Sequence, residues 1–235
     1  RSDALVVGCG FGTTACCLSE TSRAVRVVEP DVRRLQLLEH RCMARGFSNV
    51  HGVHVKDPRS LPFKSSSFDL IAFRINDWPM SFSIFSAVLY EFRRVLKDCG
   101  AASLVVANSW SPLRFVAPGR NQGGCTASLR SYIRMLHRGG FAPPRVYAVL
   151  PSSEVSPLFW VPIDEGGAFE YFFESLVGLF DLASPEARSR YAWASRLARL
   201  GVRVARRVGV VRRASYFVPS FGLITGPRSR GNGLC

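Results

Sequence analysis

The sequence contains no run of about 18 uninterrupted apolar residues, the length a membrane-spanning helix requires. Its N-terminus also has neither the basic nor the apolar region of a signal peptide. The simplest expectation is a cytoplasmic protein. The seven cysteines, Cys9, Cys16, Cys17, Cys42, Cys99, Cys125 and Cys235, include no CxxC pair and no histidine at zinc-ligand spacing. That argues against a structural metal and for reduced, mostly buried thiols. Acidic residues are scarce, 17 against 31 lysines and arginines, which leaves a formal net charge of +14. A partner met through the general surface is therefore expected to be anionic: nucleic acid, a phosphorylated substrate or a membrane face.

What is present is a rhythm. Of the 235 residues, 47% are hydrophobic, enough for one sizeable core. The apolar run "ALVVG" precedes a glycine turn, and "TTACCLSETS" reads as a short helix. "AVRVVEP" reads as a strand, and "DVRRLQLLEHRCMARG" sets Leu35, Leu38 and Cys42 on one helical face before Gly46 ends it. "NVHGVHVKD" and "FDLIAFR" read as further strands, "IFSAVLYEFRRVLKDCG" as a helix running to near Gly100, and "ASLVVAN" as a fifth strand. A helix near "SLRSYIRMLHRGGF", a strand near "RVYAVLP" and a last strand-like piece, "SYFVPSFGLIT", follow. Continuous apolar strands alternating with helices predict an α/β fold: a doubly wound, mostly parallel, seven-stranded Rossmann-like sheet with a helical, basic insertion before the last strand. The expected division is a nucleotide-binding core over residues 1–151, an aromatic and arginine-rich insertion or cap over 152–214, a last strand returning to the core over 215–227, and a loose tail over 228–235.

In such sheets ligands bind at the carboxyl ends of the strands, and the first strand-to-helix turn is the usual place. That turn is "GCGFGTT", with Gly8, Gly10 and Gly12 at alternate positions. The dinucleotide fingerprint GxGxxG requires glycine where Thr13 stands, and a phosphate loop would end in lysine followed by serine or threonine. Neither pattern is present.

GxGxG after a first strand resembles motif I of class I S-adenosylmethionine-dependent methyltransferases, and three further matches follow in order over about residues 4 to 150. Glu29 ends the second strand in "VRVVEPD"; Asp57 follows the third in "VHVKDPRSLPFKSSSFDLIAF"; "RRVLKDCG" is similar to the family's RVLKPGG turn, with Asp98 and Cys99 in place of proline and the first glycine. The resemblance implies S-adenosylmethionine as cofactor and S-adenosylhomocysteine as product. By the same resemblance Glu29 accepts both ribose hydroxyls and Asp57 accepts from the adenine amino group. The full cofactor-binding set it implies is Gly8, Cys9, Gly10, Gly12, Glu29, Pro30, Asp57, Pro58 and Arg74. The chain departs from the family at Val6, where members usually carry an acidic residue that helps to position the methionine amino group. The ammonium would then rely on backbone carbonyls, a water or another side chain. Members also usually carry a helix before the first strand, so the sequence is expected to be a fragment.

No catalytic base is assigned. "NDWP", Asn76 to Pro79, follows the fourth strand where base-modifying amino-methyltransferases carry [ND]PP[YF]; the match is poor and favours a loop with a buried Trp78, although Asp77 is the best-placed side chain for touching a substrate. His137 reads as a surface or cap histidine. Between Glu186 and Arg213 nine arginines face one acid, with Trp193, Leu197, Leu200, Val204 and Val208 at helical spacing. That pattern suits either a helix packed on its own domain or an interfacial helix on an anionic membrane. Nucleic acid is the less favoured partner, since no RNA- or DNA-binding motif is present. Finally, "VYAVLPSSEVSPLFWVPID" followed by an insertion and "SYFVPSFGLIT" is similar, more loosely, to methyltransferases of bacterial polysaccharide and glycolipid pathways. The expected activity is O-methylation of a sugar or lipid-linked sugar, in the cytoplasm or peripherally at the inner membrane face. A small-molecule methyltransferase of secondary metabolism and a non-catalytic binding module on the same fold are the alternatives.

Overall fold

A computed structural model describes residues 2–111, 125–150, 159–163, 167–168, 171 and 218–228. The elements run β1 (Asp3–Val7), α1 (Thr13–Ser19), β2 (Ala24–Glu29), α2 (Val32–Arg45), β3 (Val50–His54), β4 (Phe68–Arg74), α3 (Phe82–Val95), β5 (Leu96–Asn108), β6 (Thr126–Ala127), α4 (Leu129–Arg138), β7 (Arg145–Leu150), β8 (Phe159–Pro162) and β9 (Ser220–Thr225). They form one sheet in the order β3-β2-β1-β4-β5-β9-β7-β8, with β6 paired to β5. The pairs from β3 to β5 are parallel; β9 inserts antiparallel between β5 and β7.

Alternation along β1 explains the layering. Leu5 and Val7 point into the larger core, with Phe85, Leu89 and Phe92 of α3 and Tyr132 and Leu136 of α4. Ala4 and Val6 point the other way, into a smaller cluster with Cys16 of α1 and Leu38 and Cys42 of α2. A strand covered on both faces needs apolar residues at every position, and that is why "ALVV" reads as an unbroken run. In α2, Asp31 caps the N-terminus by accepting from Arg33 N at 2.9 Å, Leu35, Leu38 and Cys42 are buried, and Gly46 closes the helix at φ 69°.

The sheet has nine strands rather than seven among the described residues. The two-residue β6 carries no pattern of its own. β8 lies inside the aromatic stretch assigned to the insertion, and pairs as an edge strand with β7. Its Trp160 ring lies across Gly222 of β9, where a Cβ would come within 2.3 Å of the indole. The helix expected to reach Gly100 ends at Val95. Ser66 N and Ser67 N donate to the carbonyls of Arg94 and Val95 at 2.9 and 2.8 Å, and Leu96 turns extended to pair with Phe68, fully buried. Cys99 is disulfide-bonded, which corrects the reading of every cysteine as reduced; Cys9, Cys16, Cys17, Cys42 and Cys125 are free thiols.

One ion pair ties the loop after β3 to α3. Glu91 accepts from Leu61 N at 2.7 Å and from Arg94 at 2.6 Å, and Arg94 donates onward to the Leu61 and Phe63 carbonyls at 3.1 and 2.8 Å. Arg94 holds the Glu91 carboxyl below its ordinary value of 4.5. A depressed carboxylate stabilises the fold fully above its unfolded value and loses that contribution as pH falls through the folded one. Glu91→Gln is therefore expected to remove one proton's worth of acid sensitivity below about pH 4.5, read as melting temperature against pH. Superimposable acid limbs for both proteins would contradict this role.

Candidate functional site

The strand order reverses between β1 and β4: from β1 the chain moves outward to β2 and β3, then returns to the other side of β1 through β4. The carboxyl ends of these two neighbours border a crevice, the place where open α/β sheets bind ligands.

From β1 comes the glycine turn. Gly8, Gly10 and Gly12 adopt φ of 81°, 50° and 79°, a region other residues enter at a cost. Gly8 N donates to Val28 O at 2.9 Å, and Gly12 N to Cys9 O at 2.7 Å, which folds the loop back over the end of β2. Asp77 closes over two of these glycines, with its backbone over Gly8 and its side-chain tip over Gly10. A Cβ on Gly8 would lie 2.9 Å from Asp77 Cβ and 3.0 Å from its carbonyl carbon; one on Gly10 would lie 2.7 Å from Asp77 Oδ1.

From β2 comes Glu29, fully buried at the end of the strand. Its Oε2 accepts from Cys9 N at 2.8 Å and its Oε1 from Asp31 N at 3.2 Å. The Arg34 guanidinium stands 3.7 Å from Oε1 and donates to the Asp77 carbonyl at 3.0 Å. Burial, and then the Glu29 carboxylate, push the Cys9 thiol far above its ordinary range, so it stays neutral and is no nucleophile.

From β4 comes Arg74, whose Nε and Nη2 donate to the two Asp77 carboxylate oxygens at 2.9 and 2.7 Å. Asp57, after β3, stands apart at the same sheet edge. It is half-exposed and accepts from the Arg59 backbone and guanidinium, and the guanidinium chiefly holds its carboxyl below the usual carboxylate range.

A cavity of about 540 Å³ opens at the crevice, lined among others by Gly8, Cys9, Phe11, Arg74 and Asp77, with Val6, Ala72, Val105 and Trp160 as an apolar wall. Of the residues singled out in the sequence, the structure thus brings Gly8, Cys9, Arg74 and Asp77 into one cavity, beside Gly10 and Gly12. Glu29 lies behind the loop under Arg34, with Pro30 next to it, its carbonyl 3.0 Å from His54 Nε2. Asp57 and Pro58 lie outside the cavity. Trp78 is buried, and His137 is exposed in the last turn of α4, 2.9 Å from Arg228. Residues 186–213 lie outside the described residues. Sequence reading missed Arg34 and Trp160, whose roles exist only through contacts across the fold. Phe11, 74% exposed at the lip, was detectable as an aromatic inside a glycine turn. Among the described residues no cluster of His, Cys, Asp and Glu could hold a metal ion, and no helix is long and apolar enough to cross a membrane.

A glycine turn at the first strand, a carboxylate at the end of the second and a crevice at the switch point thus meet at one edge of the sheet of this α/β domain. Residues 4–100 match the family model described as a methyltransferase domain. Over that segment the chain is similar to methyltransferase domains. Among solved structures, it is similar to the YcgJ protein from Bacillus subtilis at 20% identity and a TM-score of 0.56, over 98% of this chain and 93% of that one. It is also similar to a putative sarcosine dimethylglycine methyltransferase from Galdieria sulphuraria, at 14% identity and a TM-score of 0.56 over 97% of this chain and 79% of that one. A geranyl diphosphate methyltransferase solved with S-adenosylmethionine matches at 16% identity and a TM-score of 0.55, over 96% of this chain and 78% of that one. At these identities the likeness establishes the fold. No curated protein matches the chain.

Proposed function

We propose that the protein methylates an oxygen of a sugar, free or carried on a lipid, with the cofactor laid along the carboxyl edge of β1 and β2. The observation that carries the cofactor placement is Glu29: a fully buried carboxylate, fixed by Cys9 N and Asp31 N, next to a loop whose glycines leave room for close approach. The chemistry of the groups suits the molecule. Glu29 offers oxygens to a ribose diol once Arg34, 44% exposed, swings aside, and Asp57 offers an acceptor for the adenine amino group. When bound, the cofactor supplies a methyl group on a positively charged sulfur. The chain's own residues then contribute proximity, orientation and exclusion of water, the last through the apolar wall of Val6, Ala72, Val105 and Trp160. A hydroxyl acceptor must also lose its proton. Asp77 has both oxygens engaged by Arg74 and is not assigned that task.

The sugar acceptor is supported by the order of segments after β7 and by the arginine-rich stretch, nine arginines over residues 186–213, which suits an anionic lipid surface. A second reading, a small apolar acceptor, is favoured by the same apolar wall. One structural neighbour, a geranyl diphosphate methyltransferase, is named for an acceptor that joins an apolar prenyl chain to an anionic diphosphate.

One experiment separates the two. The protein is incubated with methyl-labelled S-adenosylmethionine, anionic vesicles bearing a glycolipid and, in a parallel reaction, a soluble prenyl acceptor. The expected label is a sugar methyl ether on the vesicles, lost on deletion of residues 186–213. Label confined to the prenyl compound, untouched by that deletion, would refute the sugar reading.

A further inference from the structure

We propose that Arg74 and Asp77 form a clamp for the zwitterionic amino-acid end of the cofactor, Asp77 receiving the ammonium and Arg74 the carboxylate. The inference rests on S-adenosylmethionine being the cofactor, and assigns two side chains to a task the glycine loop leaves open.

Three observations lead to it. First, Asp77 is the one carboxylate and Arg74 the one cation among the described residues lining the cavity; Val6, at the end of β1, is apolar and buried. A zwitterion buried against an apolar wall needs one partner of each sign. Second, the pair stands directly over the loop. The Asp77 carboxylate occupies the space a Gly10 Cβ would fill, with Oδ1 2.7 Å and Arg74 Nη2 3.3 Å from that point. A ligand running along the glycines meets both groups. Third, the position of Asp77 is fixed from outside the pair. Its backbone packs on Gly8, and its carbonyl accepts from Arg34 at 3.0 Å, while the side chains of Arg74 and Asp77 remain partly open, 23% and 12% exposed.

The two charges satisfy one another at 2.7 Å. Inserting a zwitterion exchanges one ion pair for two and leaves the cavity's net charge unchanged, so neither group is stranded in a drying site. Bidentate engagement by Arg74 also suits Asp77 to binding rather than to carrying a proton from the acceptor.

The test is calorimetry with two ligands, S-adenosylhomocysteine and 5′-methylthioadenosine, which keeps the nucleoside and lacks the amino-acid end. Asp77→Asn and Arg74→Gln are each expected to weaken S-adenosylhomocysteine binding by about 10- to 100-fold and to leave 5′-methylthioadenosine unchanged. Equal losses for both ligands would mean that the pair only shapes the loop, and would overturn the clamp. Unchanged S-adenosylhomocysteine affinity would overturn it while leaving the cofactor placement intact. Should wild type bind neither ligand, the cofactor placement itself fails and the clamp with it. If the variants do not fold, the wild-type protein is titrated with S-adenosylhomocysteine lacking its amino group. The same 10- to 100-fold loss, about the worth of one charged contact, is expected; an affinity equal to that of the intact ligand would overturn the clamp.

Discussion

Gly8→Ala is expected to destabilise the protein by about 2 to 5 kcal/mol and to abolish cofactor binding. Holding an L-residue in the left-handed region costs about 1 to 2 kcal/mol, and Gly8 sits there at φ 81°. Overpacking adds about 1 to 3 kcal/mol, because the new methyl would stand 2.9 Å from Asp77 Cβ and 3.0 Å from the Asp77 carbonyl carbon. Backbone cannot rotate out of the way as a side-chain tip can. Gly46→Ala provides the internal comparison: φ is 69°, but nothing lies within 4 Å of the added Cβ. It should show the conformational cost alone and leave ligand binding intact. Denaturant titration and calorimetry of the two variants read the difference; equal stability losses with equal retention of binding would contradict the packing of Asp77 on Gly8.

Glu29→Ala carries the second large effect. It removes the acceptor of two backbone donors, Cys9 N at 2.8 Å and Asp31 N at 3.2 Å. Cys9 N is the buried donor of the two. A donor left unsatisfied in the interior costs about 1 to 3 kcal/mol, so a stability loss of about 1 to 3 kcal/mol is expected. Loss of two charge-assisted contacts to a ribose diol should weaken S-adenosylhomocysteine binding by at least about 100-fold. Glu29→Gln separates the two roles. It keeps the volume and one carbonyl acceptor, so it should recover part of the stability and little of the affinity. Full affinity in Glu29→Gln would remove the ribose role and leave Glu29 as an anchor for the loop.

How much of this was legible in the sequence varies with the range of the interaction. Local rules sufficed for α2, where Leu35, Leu38 and Cys42 fall on one buried face between Asp31 and Gly46, and for the loop, where all three alternate glycines have positive φ. Continuous apolar strands correctly announced a sheet covered on both faces. The end of α3 was not legible, because "EFRRVLKDCG" keeps helical periodicity past Val95, and what stops it is Ser66 and Ser67 capping its carbonyls from another segment. β8 was hidden for a related reason: "FWVP" has no alternation, and becomes a strand through β7 and the flat surface that Gly222 leaves for Trp160.

At the site, Glu29 and the glycines were visible as motif positions. The partnership of Asp77 with Gly8, Gly10 and Arg34 was not, since it depends on β4 lying beside β1. That adjacency is also what changes the reading of Asp77 from a side chain awaiting a substrate to one already engaged at the glycine loop. Val6, the position where the family's carboxylate is missing, and Asp77, the carboxylate that lines the same cavity, become one observation once the strand order is known.

The central claim is that the carboxyl edge of β1 and β2 holds S-adenosylmethionine, and the most direct measurement is calorimetric titration of the purified chain with S-adenosylhomocysteine. A single site of micromolar affinity, lost in Glu29→Ala, is the expected result. No heat at millimolar ligand, or heat that Glu29→Ala leaves unchanged, would contradict it.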